Sequence, residues 1–444
     1  MNKVTRHPIL IKADSIRKAL VLNGFNQYDY GNMPHIVPSD LSVDVVCSTR
    51  DSGKTIFLLD GDYALRSNLL SSQLTTIDNT LPIKSVSVGW AFDARLKCIP
   101  QLLKIEGIIA DINLTLRDLS LIWTGIAKDY VGLGAKAELI PSECGNYDIH
   151  ASSPKGSYVL GTIGKATPIA RALLRLEDPE VSVWAYSICV DDIAVNEYGL
   201  SDRTELYNNS MKFLGKFTDE QSAFGNDSIS AITDIMRQLG YSEFIGEKVY
   251  TSDCYVRMNM IQEAWDTNNV GVTLTEPLKG YTNPLTACTE LTALPTVQTS
   301  ALEQAMSDSY ADGIESAKIF EISHIYKPVP GSAPKEMIGL SFGAYGKDLK
   351  LSDFRRDVDS FLSKFGVSNH FFIPNDIAIA YKKGQCLLIL DEKMQYLDCN
   401  CGHIADKAAE NFKIEAEAFM ANFEIPTLEI KAREESSFTP PELL

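Results

Sequence analysis

The chain has 444 residues, 45% hydrophobic and 22% charged, which is room for two domains of about 200 residues and too apolar for a disordered chain. Its formal charge is −17 and its basic pairs, Arg355-Arg356 and Lys382-Lys383, stand alone, so there is no broad basic face and the balance argues against tRNA as a partner. The N-terminal MNKVTRHPILIKADS lacks a signal-peptide core, no apolar run reaches membrane-spanning length, and the nine cysteines are scattered, several in apolar runs (Cys47, Cys98, Cys189, Cys386); the expectation is a cytoplasmic protein with reduced thiols and no membrane segment.

In chain order, Ser15–Asn23 reads as an amphipathic helix capped by Asp14 or Ser15, with Ile16, Leu20 and Val21 on one face and Gly24 as its stop. Strand patterns follow at Val43–Cys47, Thr55–Leu59, Ser85–Phe92 and Leu102–Ile112, then a helix from Arg117 to Tyr130, then strands at Tyr158–Ile163 and Val181–Val190. Strands that succeed one another without regular helices between them indicate an α+β fold, an antiparallel sheet flanked by helices. The polar segment Thr218–Ser228 divides the chain. Beyond it come a helix from Ile229 with Ile232, Ile235, Met236 and Leu239 on one face, a strand at Glu247–Thr251, a helix at Ala301–Tyr310 and a strand at Ala317–Ile325. The strand Cys386–Leu390, the helix Ala405–Phe412 and the strand Ala416–Phe423 close the second half. The expected modules are residues 1–217 and 218–430, with a charged, proline-bearing tail at 431–444 that reads as mobile. No residue-level repeat links the halves.

Four local motifs have plain structural readings. STRDSGKT (Ser48–Thr55) is one residue short of a phosphate-binding loop, and the strand-like TIFLLD follows where that loop needs a helix; GTIGKAT (Gly161–Thr167) fails the spacing more clearly. Cys399, Cys401 and His403 lack the spacing and the fourth ligand of a zinc site, and a strand followed by a helix cap accounts for them, so no metal is expected. Nothing brings Cys144, beside Glu143, to His150 as a thiol–imidazole pair.

Two longer stretches carry a resemblance. Asn283–Leu285 (NPL) and the segment running to Phe320-Glu321-Ile322 resemble the β-subunit core of phenylalanyl-tRNA synthetase, a class II aminoacyl-tRNA synthetase. CNCGHIADKAAENFKIEAEAFMANFEI resembles that family's closing helix and strand, with Ala405 and Asp406 in place of His-Pro. In the first half, His7-Pro8 and Gly24-Phe25 resemble the opening of the α-subunit catalytic domain, LRSNLLSSQ (Leu65–Gln73) its L-R-T-H-T-S-x-x-Q segment, Gly89–Gly107 its motif 2 and Val181–Arg203 its motif 3. The matches run in family order over nearly the whole chain. They imply α-like and β-like catalytic modules fused in one polypeptide, without the family's N-terminal coiled coil or C-terminal anticodon-binding domain, and a homodimer.

The resemblance also implies a loss. Activating an amino acid with ATP gathers negative charge in one pocket, which arginine forks neutralise. Aligned without gaps, the motif 2 arginine falls on Asp93 and the motif 3 arginine on Asp192, beside Asp191. At an effective dielectric near 20, one charge pair at about 4 Å is worth about 4 kcal/mol, so two reversals weigh heavily against ATP. Arg95 substitutes only if the alignment slips by two residues, Arg203 is a more distant candidate, and neither repairs motif 3. Gln73 and Glu106 match positions that hold the substrate ammonium, and Ala185 a small residue lining the ring pocket. Asn68, Leu70 and Lys104 replace the family's His, Ser and Gln, and Lys104 is placed to meet a ligand carboxylate. The expected function is therefore a phenylalanyl-tRNA synthetase-like protein without ATP-dependent aminoacylation and without a cofactor. It would bind a small amino-acid-like ligand or act as a regulatory or scaffold partner of another protein. The alternative is an ATP- and Mg-dependent ligase that activates an unusual amino acid for a non-tRNA acceptor or tRNA.

Overall fold

The computed structural model describes residues 4–30, 34–41, 45, 55–58, 61–73, 76–96, 99–154, 156–217, 228–251, 254–258, 272–279, 290–329 and 332–434. The chain packs as two compact units, Ile9–Leu206 and a second made of Met1–Pro8 with Tyr207–Leu444. Most of Ser48–Thr55, most of Val43–Cys47, the NPL turn and most of the dividing segment Thr218–Ser228 lie outside the described residues.

In the first unit, seven strands form one sheet in the order β1-β5-β6-β10-β9-β8-β7. They are β1 (Asn26–Tyr30), β5 (Ile83–Phe92), β6 (Gln101–Ile112), β7 (Lys136–Pro141), β8 (Tyr147–Ser153), β9 (Gly156–Lys165) and β10 (Val181–Cys189). Only β1 with β5 is parallel. The short strands β2 (Ile36–Pro38), β3 (Ile56–Leu58) and β4 (Tyr63–Leu65) pair antiparallel, with β4 in the middle. The helices are α1 (Pro8–Leu22), α2 (Leu70–Gln73), α3 (Leu116–Tyr130), α4 (Pro168–Leu173) and α5 (Val190–Tyr198).

One face of this sheet is sealed by aromatic packing. Tyr186 on β10 meets Trp123 of α3 and Phe25 edge-on, and its hydroxyl donates to the Ser85 carbonyl at 2.8 Å. That crossing needs Gly107 on β6, where a Cβ would sit 1.9 Å from the Ser85 oxygen. α3 begins with a capping box, Thr115 and Asp118 bonding reciprocally, and buries Leu119, Trp123, Ile126 and Ala127. α1 starts at Pro8, not at Ser15 as its cap-like residues implied. Pro8 suits a first turn, and Ser15 instead bonds back to the Ile11 carbonyl from mid-helix while Asp14 pairs with Arg17.

The second unit repeats the plan. Its sheet runs β11-β15-β16-β20-β19-β18-β17, built from β11 (Ser242–Glu243), β15 (Ser316–Lys327), β16 (Lys335–Gly346), β17 (His370–Pro374), β18 (Tyr381–Asp391), β19 (Tyr396–Ile404) and β20 (Glu417–Glu424), with β11 parallel to β15 and the rest antiparallel. The small strands β12 (Tyr250–Thr251), β13 (Val272–Lys279) and β14 (Glu290–Leu294) again pair around the third of the set. The helices α6 (Ser228–Gln238), α7 (Thr299–Ala311), α8 (Leu351–Phe365), α9 (Asp406–Asn411) and α10 (Ile425–Glu434) fall at the same points of the order as α1 to α5. Adding ten to each strand number and five to each of these helix numbers converts one unit into the other; the one-turn helices Met211–Leu214 and Cys254–Arg257 of the second unit have no α-helical counterpart among the described residues. α8 lays Phe354, Val358, Phe361, Leu362 and Phe365 on the sheet, and these join Phe342, Phe419, Phe423, Cys399 and Cys401 in one core.

Two expectations change here. Only Tyr250–Thr251 of Glu247–Thr251 is strand. Residues 431–434 are the last turn of α10, not tail: Lys431 is buried and its ammonium lies 3.0 Å from Asp391 and 3.6 Å from Glu392. No described helix is long and apolar enough to cross a membrane.

Candidate functional site

The first unit's other sheet face carries the candidate residues. Strand periodicity puts Lys104, Glu106, Ile108 and Ala110 of β6 on this side, beside Val183, Ala185 and Ser187 of β10. The lower part is apolar: Ile108, Ala110, Val183 and Ala185 form a core with Leu70, Ala170 and Leu174. Ala185 is thus closed inside packed side chains. Above it the face turns polar.

Glu106 is buried, and its carboxylate is fully engaged by its own chain. It accepts the Leu69 backbone N–H at 2.6 Å, the Ser187 hydroxyl at 2.7 Å and the Lys104 ammonium at 3.2 Å. Lys104 also reaches the Ser67 carbonyl at 3.4 Å. Burial pulls the Lys104 ammonium down, but the charge and hydrogen bond of Glu106 outweigh it, helped by Cys189 and Asp93, and hold it above the ordinary lysine value. Gln73, fully buried at the end of α2, donates to the Glu106 carbonyl at 3.1 Å and accepts from Ser85 at 3.1 Å; Ser85 in turn accepts the Ile108 N–H at 2.8 Å. Gln73 therefore clamps α2 to β5 and β6.

At the far end of the same face the remaining candidates are paired off. Asp93 follows β5, and the Arg95 guanidinium closes on its carboxylate through Nε at 2.8 Å and through Nη2, while the Arg95 N–H adds a bond at 3.0 Å. Burial opposes the charged form of Asp93, yet Arg95 and Lys104 together hold its carboxyl below the usual range. Asp191, buried in the first turn of α5, accepts the Leu103 N–H at 2.8 Å and lies 3.6 Å from Arg203. Arg203 donates to the Ile99 and Gln101 carbonyls at 3.0 and 3.4 Å. Asp192 is exposed beside Cys189, whose thiol is pushed up by burial and then by Asp191 and Asp192. Arg95, Lys104 and Arg203 each face a carboxylate of their own chain.

Residues 1–217 match the family model described as tRNA synthetases class II core domain (F), and residues 218–425 that of the phenylalanyl tRNA synthetase beta chain CLM domain. The chain belongs to the phenylalanyl-tRNA synthetase-like family. Similar proteins include the phenylalanine–tRNA ligase alpha subunits of Caldanaerobacter subterraneus subsp. tengcongensis, 25% identical over 236 residues (48% of this chain, 69% of the relative), and of Thermotoga maritima, 25% over 225 residues (48% and 68%). That of Desulforamulus reducens is 26% identical over 190 residues, 38% of this chain and 55% of the relative.

The class II core thus brings Gln73, Lys104 and Glu106 into one bonded cluster, sets Asp93 and Asp192 at its open end, and sinks Ala185 into the apolar layer below. The cluster's other members, Ser85 and Ser187, were not among the sequence candidates; alternation from Glu106 along the ladder is the signal that points to them. The remaining motifs resolve as structure. Cys399 and Cys401 sit in the core on β19; burial, then their cysteine neighbours, push both thiols up, Cys401 to about 12. His403 lies 3.0 Å from Glu417. Cys144 is in the exposed turn between β7 and β8, three rungs from His150, which pairs with Glu138. In GTIGKAT, Gly161 to Lys165 belong to β9 and Thr167 caps α4.

Proposed function

We propose that this phenylalanyl-tRNA synthetase-like protein does not carry out ATP-dependent aminoacylation. It serves instead to hold a small amino-acid-like ligand or as a regulatory or scaffold partner. One observation supports this most: Arg95, Lys104 and Arg203 are engaged by Asp93, Glu106 and Asp191. A triphosphate entering this face would meet pairs of nearly zero net charge, with the exposed Asp192 beside them. Recruiting any of the cations would first break an existing ion pair, and for Glu106 and Asp191 would strand a buried carboxylate.

The same reading covers an incoming amino acid. The Lys104 ammonium occupies the carboxylate that the family resemblance assigns to a substrate ammonium. A ligand must either displace Lys104 or use it as the counter-ion of its own carboxylate. The free thiols, Cys189 and Cys254 among them, fit a reducing cytoplasm, and the family resemblance a homodimer. Pyrophosphate exchange with pooled amino acids tests the proposal. The expected result is no amino-acid-dependent exchange; exchange with any amino acid, together with an aminoacyl-adenylate seen by mass spectrometry, overturns it in favour of a working ligase.

A further inference from the structure

We infer that the second unit holds its own small-molecule site, in a cavity of about 420 Å³ on the sheet face formed by β16, β20 and β19. Its ligand is a small molecule with an apolar body and a net-neutral, hydrogen-bonding head, of which an apolar α-amino acid is the simplest. The cavity lies within one unit, so the inference stands whether or not the first unit activates amino acids.

The ladder explains why a cavity exists here. Glu106 pairs with Ser187 three residues before α5 and ten before α3; Ser341 pairs with Asn422 three residues before α10 and ten before α8. Ser341 and Asn422 therefore hold the places of Glu106 and Ser187. Two residues along β16, the place of Lys104 is held by Gly339. The first unit fills this position with a lysine bonded to a glutamate. The second has no side chain there, and a Cβ on Gly339 would already press to 3.2 Å from Ile325.

The floor is polar and uncharged. The Asn422 amide oxygen accepts from Ser341 at 2.6 Å and from Thr299 at 3.3 Å, and its nitrogen donates to the Tyr381 hydroxyl at 3.3 Å. Tyr381 donates onward to the Asn400 carbonyl at 3.0 Å. These bonds orient Asn422 and, among the described residues, leave one of its two N–H donors for a ligand. At one side of the cavity Lys327 is ion-paired with Glu424, and Asp398 adds a further carboxylate. The lining thus carries more negative than positive charge, which disfavours phosphates and free carboxylic acids. A zwitterion can set its ammonium against Glu424 and its carboxylate against Lys327. The walls are apolar: Ile325 and Met420 line the inside, and Ile377 and Ile379, 89% and 56% exposed, stand over it from the segment between β17 and β18. Large aliphatic side chains left in solvent beside a polar-floored cavity fit a ligand that covers them, and the volume falls in the range of small-ligand pockets.

The test is isothermal titration of the full chain with L-leucine, L-methionine and L-phenylalanine, with ATP and inorganic phosphate as counter-probes. At least one amino acid is expected to bind saturably, and Asn422→Ala and Ile379→Asp each to weaken it at least tenfold. Ile379 is exposed, so that variant reports on the site even if Asn422→Ala unfolds. The inference is overturned if none of the three binds, if binding survives both substitutions unchanged, or if phosphate competes for the same site.

Discussion

The two sheets share a strand order, a parallel edge pair and a helix sequence, yet the same ladder positions do opposite things. In the first unit, Lys104, Glu106 and Ser187 close on one another and the polar face is satisfied by its own chain. In the second, Gly339, Ser341 and Asn422 stand at those positions, and a cavity takes the place of an ion pair. Such a framework asks only that each strand alternate and that each pair hold register; it leaves the chemistry of a given rung free. Charge committed to internal pairing leaves the first face poor in available cations. Its removal leaves the floor of the second face open and uncharged.

The sharpest way to break this contrast is to remove one partner on each side. Lys104→Met strands Glu106 without its counter-charge and is expected to cost about 3 kcal/mol. Ser341→Ala, at the position of Glu106, removes a neutral hydrogen bond and is expected to cost about 1 kcal/mol. Urea melts of the two variants compare them directly; equal costs would mean that the charge difference has no energetic weight. Next in size, Gly339→Leu pushes a side chain into the cavity against Ile325 and is expected to cost about 2 kcal/mol by overpacking, read by the same melts. No loss of stability would show that the cavity is roomier and less defined than described.

A pH effect sharpens the contrast further. The Lys104 ammonium is held above its ordinary value of 10.5, so its pairing contributes fully below that pH and is lost as pH rises through the higher folded value. Urea midpoints at pH 9 and pH 11 should fall more steeply for the native chain than for Lys104→Met, which has no such group to titrate. The smallest expected change is at Asp93. Its pair with Arg95 is partly exposed, so Asp93→Asn should shift stability by less than about 1 kcal/mol. Without the Asp93 charge beside it, Arg95 should bind inorganic tripolyphosphate several-fold more tightly, measured by titration calorimetry. An unchanged affinity would mean that the pair is not what keeps Arg95 from anions.

Much of the fold could be read in advance where one residue pattern dominated. β6, β10, β15 and β20 follow from apolar-rich stretches of strand length broken by single polar residues, and α3 from its spacing between Arg117 and Tyr130. α8 went unread although Phe354, Val358, Phe361, Leu362 and Phe365 recur at helical spacing, and so did β16 beside it. The β7–β8 hairpin alternates weakly because it lies at the sheet edge, where even Ile140 is exposed. The start of α1 differs from the expectation because Asp14 and Ser15 have cap chemistry in mid-helix, whereas the signal of the true start is Pro8 in the first turn. The duplication is hard to see in the sequence because few residue identities line up along it, Leu116 with Leu351 and Asp118 with Asp353 among them.

The candidate site was legible to the same degree. Lys104 and Glu106 are two apart on one strand, so period two alone placed their side chains together. The pairing of Arg203 with Asp191 spans the whole of α5 and could not be counted from spacing. Nor could the cavity, which depends on Gly339 facing Ile325 across a ladder that only the fold supplies.

Arg95, Lys104 and Arg203 of the first unit's polar face are committed to carboxylates of the same chain. Isothermal titration of the intact protein with Mg·ATP tests this most directly. We predict no saturable binding at ATP concentrations where a functioning synthetase site would fill. Tight, stoichiometric binding that is lost on replacing Arg95 or Arg203 would contradict it, and would show that those guanidinium groups leave their partners for the triphosphate.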